Sequence, residues 1–253
     1  MKVLVIDIGG NSVKVLLSDS DKPRKFPSGP ALMPREMVEG VLKLTEDWKY
    51  DVISIGYPGL VHDNWPSAEP VNLGRGWVEF DYRKAFGVPV KFMNDAAMQA
   101  LGSYKGGKML FLGLGTGLGS ALIVDGNLLP MELGHLPYKS ATYEDYLGLR
   151  GLKRLCITKW RACFREVVTS FIAAFELDEV VIGGGNVNKL DTLPPLCRAG
   201  DNALAFRGGR LLWEEGGEPG RRIHRSASSR SRSTVPGSAR PTPRASVSSR
   251  RRR

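Results

Sequence analysis

The sequence predicts an α/β protein made of two similar halves, residues 1–97 and 98–213. Short apolar runs rich in β-branched residues alternate with longer segments in which apolar residues recur at helical spacing. Each half also has a glycine-rich turn between its first two strand-like runs. With 253 residues, 42% of them hydrophobic, the chain can bury a sizeable core.

The predicted elements follow from these patterns in chain order. In the first half we predict strands at 3–8, 12–17, 52–55 and 88–93 and helices at 34–48 and 96–104. The first two strands form a hairpin, and the Asn-, Pro- and Gly-rich segment 56–77 is predicted to be a loop. In the second half we predict strands at 108–114, 120–124 and 179–182, a helix at 160–175, and an apolar closing segment at 202–206.

The net charge of +10 is concentrated at the C-terminal end, in residues 214–253, which we call the basic tail. The tail contains eleven Arg and three Glu, so its charge is +8, and residues 1–213 carry the remaining +2. Its Arg, Ser, Pro and Gly offer few core-forming side chains, and we expect it to be disordered. A shifted reading frame in GC-rich DNA would produce such an abrupt change. We expect nucleic-acid binding, if any, only through this tail.

The cysteines and the N-terminus indicate a reducing compartment. Cys156, Cys163 and Cys197 are odd in number and lack CxxC spacing, which argues against a disulfide framework or a structural zinc site. The first apolar run meets Asp7 instead of extending into a signal peptide, and no run approaches the roughly 18 residues of a membrane span. We therefore expect a cytoplasmic protein without a membrane segment.

Two glycine-rich turns are candidate phosphate sites. In the first, Gly9 and Gly10 follow a strand, so bare backbone N–H groups can approach phosphate oxygens, and Asp7 at the strand end can hold Mg²⁺. An ordinary hairpin turn is the alternative. The second turn, 113–119, offers bare glycines and the Thr116 hydroxyl. Its spacing also resembles a dinucleotide-binding loop, but 120–124 reads as a strand where that fold requires a helix.

Two further clusters offer polar side chains for chemistry. Asn94 and Asp95 end a strand and precede a helix, where a carboxylate can accept a substrate proton; the alternative is that Asp95 only caps the helix. Glu132, His135 and Glu144 could provide the several hydrogen-bond partners that a hexose needs. A packing or surface role is the alternative for His135.

In one chain and in this order, the sequence has DIGG at 7–10, GYPG at 56–59, NDA at 94–96, GTGLG at 115–119, ELGH at 132–135 and GGG at 183–185. This ordered set resembles the ROK family of sugar kinases, and within it the short polyphosphate- or ATP-dependent glucokinases. The resemblance covers about residues 1–213. It implies an actin-like ATPase (ribonuclease H-like) fold, with two similar lobes around a central cleft.

The resemblance also implies roles for individual residues. It implies phosphate or nucleotide contacts from Asp7, Gly9, Gly10, Asn11, Lys14, Gly115, Thr116, Gly117, Gly183, Gly184 and Gly185. It implies sugar contacts from Gly59, Asn94, Asp95, Glu132, His135 and Glu144. Asp95 would accept the proton of the glucose 6-hydroxyl, Asp7 would hold Mg²⁺, and the loop 72–77 would close over the sugar.

The sequence departs from the family pattern in three places. Asn11 stands where the family usually has Thr, and the basic tail has no counterpart in the family. The cysteine-rich zinc motif that many relatives have after ExGH is missing, because 137–155 contains no cysteine, so no zinc is expected. The resemblance does not decide whether polyphosphate or ATP is the phosphoryl donor, which hexose is the acceptor, or whether the protein forms a homodimer.

A sugar-sensing ROK-type regulator or a catalytically inactive sugar-binding protein is the alternative function. Such regulators bind operator DNA through a helix-turn-helix module. The first predicted strand begins next to Met1, so we expect no such module before it. Phosphoryl transfer to a hexose is therefore the favoured prediction.

Overall fold

The computed structural model describes residues 1–214, so the predicted disorder of the basic tail concerns residues outside this range, except for Glu214. In chain order, the strands are β1 (Val3–Ile8), β2 (Ser12–Leu17), β3 (Arg24–Pro27), β4 (Val52–Tyr57), β5 (Val61–His62), β6 (Trp65–Pro66), β7 (Val90–Asn94), β8 (Lys108–Leu114), β9 (Leu118–Val124), β10 (Asn127–Met131), β11 (Pro137–Tyr138), β12 (Ala141–Thr142), β13 (Glu179–Gly183) and β14 (Cys197–Ala199). The helices are α1 (Pro34–Leu44), α2 (Tyr82–Phe86), α3 (Asp95–Ser103), α4 (Tyr143–Leu147), α5 (Leu149–Arg154), α6 (Ile157–Phe175) and α7 (Leu204–Leu211). Single 3₁₀ turns cover Leu133–His135 and Val187–Lys189.

Two five-stranded sheets with the same topology form the framework. Their strand orders are β3-β2-β1-β4-β7 and β10-β9-β8-β13-β14. In each sheet the first three strands along the chain pair antiparallel, and the remaining two add in parallel on the other side of the first. The predicted α/β class with two similar halves is therefore confirmed.

Each predicted strand is present, but short polar elements were missed. The third strand of each sheet, β3 and β10, lies at an edge and has exposed residues, so it lacks a clear apolar pattern. The loop prediction for 56–77 was wrong at its start, where β4 continues to Tyr57, and at β5 and β6, which form a two-stranded hairpin. The first helix was predicted to continue to 48 but ends at Leu44, because the backbone of Thr45 leaves helical geometry, with φ −119° and ψ 19°.

The helices α3 and α7 lie between the two sheets. One core cluster joins side chains of β1, α3, β8, β9 and α7. A Cβ atom on Gly102 would overlap the Leu204 carbonyl oxygen, and one on Gly208 would overlap that of Met98, so the two helix backbones are in contact. The boundary predicted after residue 97 falls inside α3, and the division into 1–97 and 98–213 stays a prediction.

The end of the described chain returns to the first sheet. Buried Ser54 of β4 donates a hydrogen bond from Oγ to the Gly209 carbonyl oxygen at 2.6 Å, and Trp213 Nε1 donates to the same Oγ at 2.9 Å. The chain therefore crosses to the second sheet and comes back. Within residues 1–214, no helix is both long and apolar enough to cross a membrane.

Candidate active site

The two predicted phosphate turns face each other. The first connects β1 to β2, and the second connects β8 to β9, at equivalent positions of the two sheets. A Cβ atom placed on Gly10 would lie 3.6 Å from Thr116 Oγ1. Folding thus brings together two motifs that are more than one hundred residues apart in sequence.

Asp7 and Lys14 form a charged pair beside the first turn. They are cross-strand partners in β1 and β2, and Lys14 Nζ lies 3.7 Å from Asp7 Oδ2. Burial raises the pKa of Asp7, and the Lys14 ammonium opposes that rise. On the other side, Gly56 of β4 has no side chain, and Met98 of α3 packs there instead: a Cβ atom on Gly56 would overlap Met98 Cε and lie 3.6 Å from Asp7 Oδ1. The site therefore has a buried carboxylate at the floor of the first turn.

Asn94, and not Asp95, caps helix α3. Asn94 Oδ1 accepts a hydrogen bond from the Ala97 backbone N–H at 3.1 Å. Its Nδ2 donates to the Gly59 carbonyl oxygen at 3.2 Å, which connects the GYPG loop to the start of the helix. The alternative role of Asp95 as the helix cap is therefore wrong, because Asp95 is the first helical residue and the Asn94 side chain makes the capping hydrogen bond.

Asp95 has the electrostatics of a group that exchanges a proton near neutral pH. Burial raises the pKa of its carboxyl to about 7, and the negative charges of Asp7 and Glu132 act in the same direction. A hydrogen bond from the Ala96 backbone N–H to Oδ1, 2.7 Å long, opposes the rise. Asp7, Asp95 and Glu132 therefore form one acidic group between the turns.

Glu132 precedes the 3₁₀ turn that follows β10, and His135 is the last residue of that turn. His135 Nδ1 lies 4.0 Å from Glu132 Oε2, and both side chains are accessible to solvent. Burial raises the pKa of Glu132, the charge of Glu144 adds to the rise, and His135 opposes it. The predicted ELGH motif therefore presents a carboxylate and an imidazole together.

Glu144 of α4 lies directly on the second turn. Its Oε2 accepts a hydrogen bond from the Leu118 backbone N–H at 3.2 Å, and a Cβ atom on Gly117 would overlap this oxygen. Its Oε1 accepts from Arg150 Nη2 at 3.1 Å. The predicted sugar-contact role of Glu144 stays a prediction, since both carboxylate oxygens have protein partners in this structure.

The glycine run Gly183–Gly185 adjoins the second turn. Gly184 has a φ of +87°, and a Cβ atom there would overlap the Leu114 carbonyl oxygen. Asn186 directly follows the glycine run. It donates a hydrogen bond from its backbone N–H to the Leu114 carbonyl oxygen at 2.9 Å and another from Nδ2 to the Gly115 carbonyl oxygen at 3.0 Å. Asn186 was missed by sequence reasoning, although its place directly after the glycines was a signal.

Ser28, which follows β3, braces the first turn. Its Oγ donates to the Gly9 carbonyl oxygen at 2.6 Å, and its backbone N–H donates to Asn11 O at 3.2 Å. No motif marked this residue in the sequence. The predicted lid, 72–77, is anchored by Trp77, which is fully buried against Tyr57, and its closure over a sugar stays a prediction.

The geometry has no closed metal site. Residues 1–214 contain no group of three or more His, Cys, Asp or Glu side chains placed to hold a metal ion together. A cation bound here would have to complete its coordination with oxygens of a ligand or with water.

Several proteins of known activity are similar to this chain. The polyphosphate glucokinase of Mycobacterium tuberculosis is 27% identical over 217 residues, which cover 76% of this chain and 80% of that protein. The N-acetylmannosamine kinase of Salmonella paratyphi B is 28% identical over 164 residues, which cover 58% of this chain and 56% of that protein.

Solved structures confirm the predicted actin-like ATPase fold with two lobes. The inorganic polyphosphate/ATP-glucomannokinase of Arthrobacter sp. strain KM superposes with a TM-score of 0.72 at 22% identity, over 83% of this chain and 97% of that one. A ROK family glucokinase from Streptomyces griseus, in complex with glucose and AMPPNP, gives a TM-score of 0.69 at 16% identity, over 85% of this chain and 100% of that one.

A family model identifies the chain more directly than these pairwise similarities. The model of the ROK family matches residues 3–145, more than half of the sequence, and this range includes both predicted phosphate turns, Asn94, Asp95, Glu132, His135 and Glu144. The chain therefore belongs to the ROK family.

Proposed function

We propose that the protein is a hexose kinase that transfers a phosphoryl group from polyphosphate or ATP to the 6-hydroxyl of glucose, with Asp95 as the general base. The observation that carries the proposal is the position of Asp95. It begins α3 between two facing glycine turns, and burial and neighbouring charge raise its pKa to about 7. Relatives that phosphorylate glucose or N-acetylmannosamine support a hexose as the acceptor.

In this reaction the sugar oxygen attacks phosphorus while the bond from phosphorus to the leaving phosphate oxygen breaks. The hydroxyl proton passes to the Asp95 carboxylate, whose raised pKa makes it a stronger base than an ordinary aspartate. A base with a pKa near the working pH combines a useful ionised fraction with enough basicity. The two turns would bind the phosphate groups through backbone N–H groups and the Thr116 hydroxyl.

Magnesium fits the first turn. Mg²⁺ in phosphoryl-transfer enzymes is held by one or two carboxylates, with substrate phosphate oxygens and water completing the shell. Asp7 is a buried carboxylate beside the glycine turn and therefore suits this coordination as a single protein ligand. A bound Mg²⁺ would neutralise charge on the phosphate groups. No zinc is included in the proposal, because 137–155 has no cysteine.

The sugar would be held opposite the donor by Gly59, Asn94, Asp95, Glu132 and His135. Hexose hydroxyls both donate and accept hydrogen bonds, so they match a mixture of carboxylate, amide and imidazole groups. Asn94 already connects the GYPG loop to α3, and Glu132 lies close enough to Asp95 to raise its pKa. Binding at these residues would place a hydroxyl beside the base.

Formation of sugar 6-phosphate by the full-length protein with Mg²⁺ tests the proposal. Glucose, mannose and N-acetylmannosamine are compared, each with ATP and with polyphosphate. We expect Asp95→Asn to lower kcat by about 10²–10⁴-fold, the usual contribution of a general base, and to retain glucose binding. Asp125→Asn is the matched control, because Asp125 is exposed in the β9–β10 turn, at the opposite end of β9 from the site.

Unchanged turnover in Asp95→Asn would contradict the role of this residue. If the unaltered protein is folded and binds glucose but shows no turnover with any pair of substrates, the alternative of a sugar-sensing regulator or an inactive binding protein would be supported instead.

A further inference from the structure

A salt bridge beside the second turn connects the donor side of the site to the sugar side. Glu144 accepts the Leu118 backbone N–H through one carboxylate oxygen and Arg150 through the other. Glu144 also contributes to the raised pKa of Glu132, so the two carboxylates lie in one region. Arg150 thus neutralises a carboxylate that lies between the second turn and the ELGH motif.

The position of Arg150 is set by the turn itself. Helix α5 begins at Leu149, whose backbone N–H donates to the Thr116 carbonyl oxygen at 3.1 Å. A Cβ atom on Gly148 would lie 2.9 Å from Thr116 O and 3.3 Å from Gly117 Cα. Arg150 therefore follows directly after backbone that is packed against the second turn.

The Arg150 guanidinium is exposed and weakly held. Its side chain is 72% exposed, and its partners are Glu144 Oε1 at 3.1 Å and Asp145 Oδ1 at 3.3 Å. Exposed ion pairs of this kind contribute little to stability, because water screens both charges. A phosphate group, by contrast, matches the fork of guanidinium N–H donors in geometry and charge. Replacing the carboxylate partners of Arg150 by a phosphate group therefore costs little free energy.

We propose that Arg150 binds the phosphate chain of the donor, and that this exchange frees Glu144 Oε1 to accept a hydrogen bond from a sugar hydroxyl. The inference rests on the proposed function and adds two features to it, a donor-binding arginine and a coupling between the two substrates. Glu144 keeps its bond to Leu118 N–H through Oε2, so the second turn stays braced during the exchange.

The exchange couples donor binding to sugar binding. Without donor, Glu144 is paired with Arg150; with donor, it is available to the sugar. Each substrate should therefore raise the affinity of the other by the same factor, because the coupling free energy between two sites is reciprocal.

Isothermal titration calorimetry on the full-length chain tests the inference. Asp95→Asn serves as the parent, so that turnover is slow during the titration, and the ligands are inorganic tripolyphosphate and glucose, each titrated with and without the other. We expect Arg150→Met to weaken tripolyphosphate binding about tenfold, which is about 1.4 kcal/mol, because a charge-assisted hydrogen bond is lost. The same variant should abolish the gain in glucose affinity that tripolyphosphate produces in the parent.

Two further variants make the result specific. Arg150→Lys keeps the charge but loses the fork, and should show an intermediate tripolyphosphate affinity. Arg154→Met is the matched control, because Arg154 lies on the same helix but donates to the Asp145 carbonyl oxygen and lies over the Tyr146 ring. All variants have the same basic tail, so binding of tripolyphosphate by the tail cancels in the comparison.

The inference is overturned if Arg150→Met binds tripolyphosphate as tightly as the parent, if the coupling to glucose survives in it, or if Arg154→Met has the same effect. A folded parent that binds neither ligand would instead contradict the proposed function itself.

Discussion

The two glycine turns occupy the same place in two sheets of the same topology, yet the strands beside them differ in chemistry. Ile8 and Val13 are the last paired residues before the first turn, and the next pair of β1 and β2 is the charged pair Asp7 and Lys14. In the second sheet, Leu114 and Leu118 are the last paired residues before the turn, and the next pair of β8 and β9 is Gly113 and Gly119. One lobe therefore presents charge at this level, and the other presents bare backbone.

The bare backbone of the second lobe has a structural use. A Cβ atom on Gly119 would lie 2.9 Å from the Cβ atom of Ala96, the residue after Asp95. Gly119 thus lets the start of α3 approach the second sheet, which holds Asp95 between the turns. The charge of Asp7 in the first lobe and the missing side chain of Gly119 in the second therefore both act on Asp95.

The turns also differ in how they are braced. Ser28, which follows an edge strand of the same sheet, holds the first turn. The second turn is held from outside its sheet by Glu144, Leu149 and Asn186. The second turn is therefore the one whose shape depends on neighbouring helices and loops.

Among the substitutions that test this comparison of the turns, the largest expected effect comes from placing a side chain at Gly119. We expect Gly119→Val to displace the start of α3, lower kcat/KM about 10²-fold, and destabilise the protein by about 1–3 kcal/mol. Kinetics of sugar phosphorylation and urea unfolding measure both effects. Gly29→Val is the control, because a Cβ atom at Gly29 has no neighbour within 4 Å. Unaltered kinetics in Gly119→Val would show that this contact does not position Asp95.

Removing the charge of the first lobe should shift the pH dependence. Asp7 raises the pKa of Asp95, so in Asp7→Asn the carboxyl should ionise at lower pH and the acid limb of kcat/KM, near pH 7 in the unaltered protein, should move down. Glu132→Gln should move the limb in the same direction but less, because Glu132 contributes less to the rise. The pH profiles of the residual activity measure this, and a limb that stays in place in Asp7→Asn would argue against electrostatic coupling of the two carboxylates.

The smallest effects are expected from removing the side-chain hydrogen bonds of Ser28 and Asn186 to the two turns. Ser28→Ala and Asn186→Ala should each cost about 1 kcal/mol, the net contribution of one hydrogen bond, and raise the donor KM several-fold. Ser170→Ala is the control, since its hydroxyl donates to Glu166 O on the exposed side of α6. If the two substitutions leave the donor KM as it is in the control, the turns keep their shape without these bonds.

The fold was predictable from local patterns. Apolar runs and glycine turns depend on residues adjacent in sequence, so β1, β2, β8 and β9 could be predicted nearly to the residue. The edge strand β3 could not, because its residues, RKFP, show no apolar alternation. Ser28 and Arg150 lie outside every motif, and only their contacts with the turns distinguish them from other polar surface residues.

The sequence by itself determined the two similar halves, the glycine turns and the carboxylates that belong near them, because side-chain spacing and backbone preferences act over a few residues. Only the tertiary structure decided that Gly10 and Thr116 face each other and that Glu144 is shared between a turn and an arginine. These facts depend on the packing of α3 against the second sheet and of α4 and α5 against the second turn. Such packing joins residues distant in the chain, and no local pattern records it.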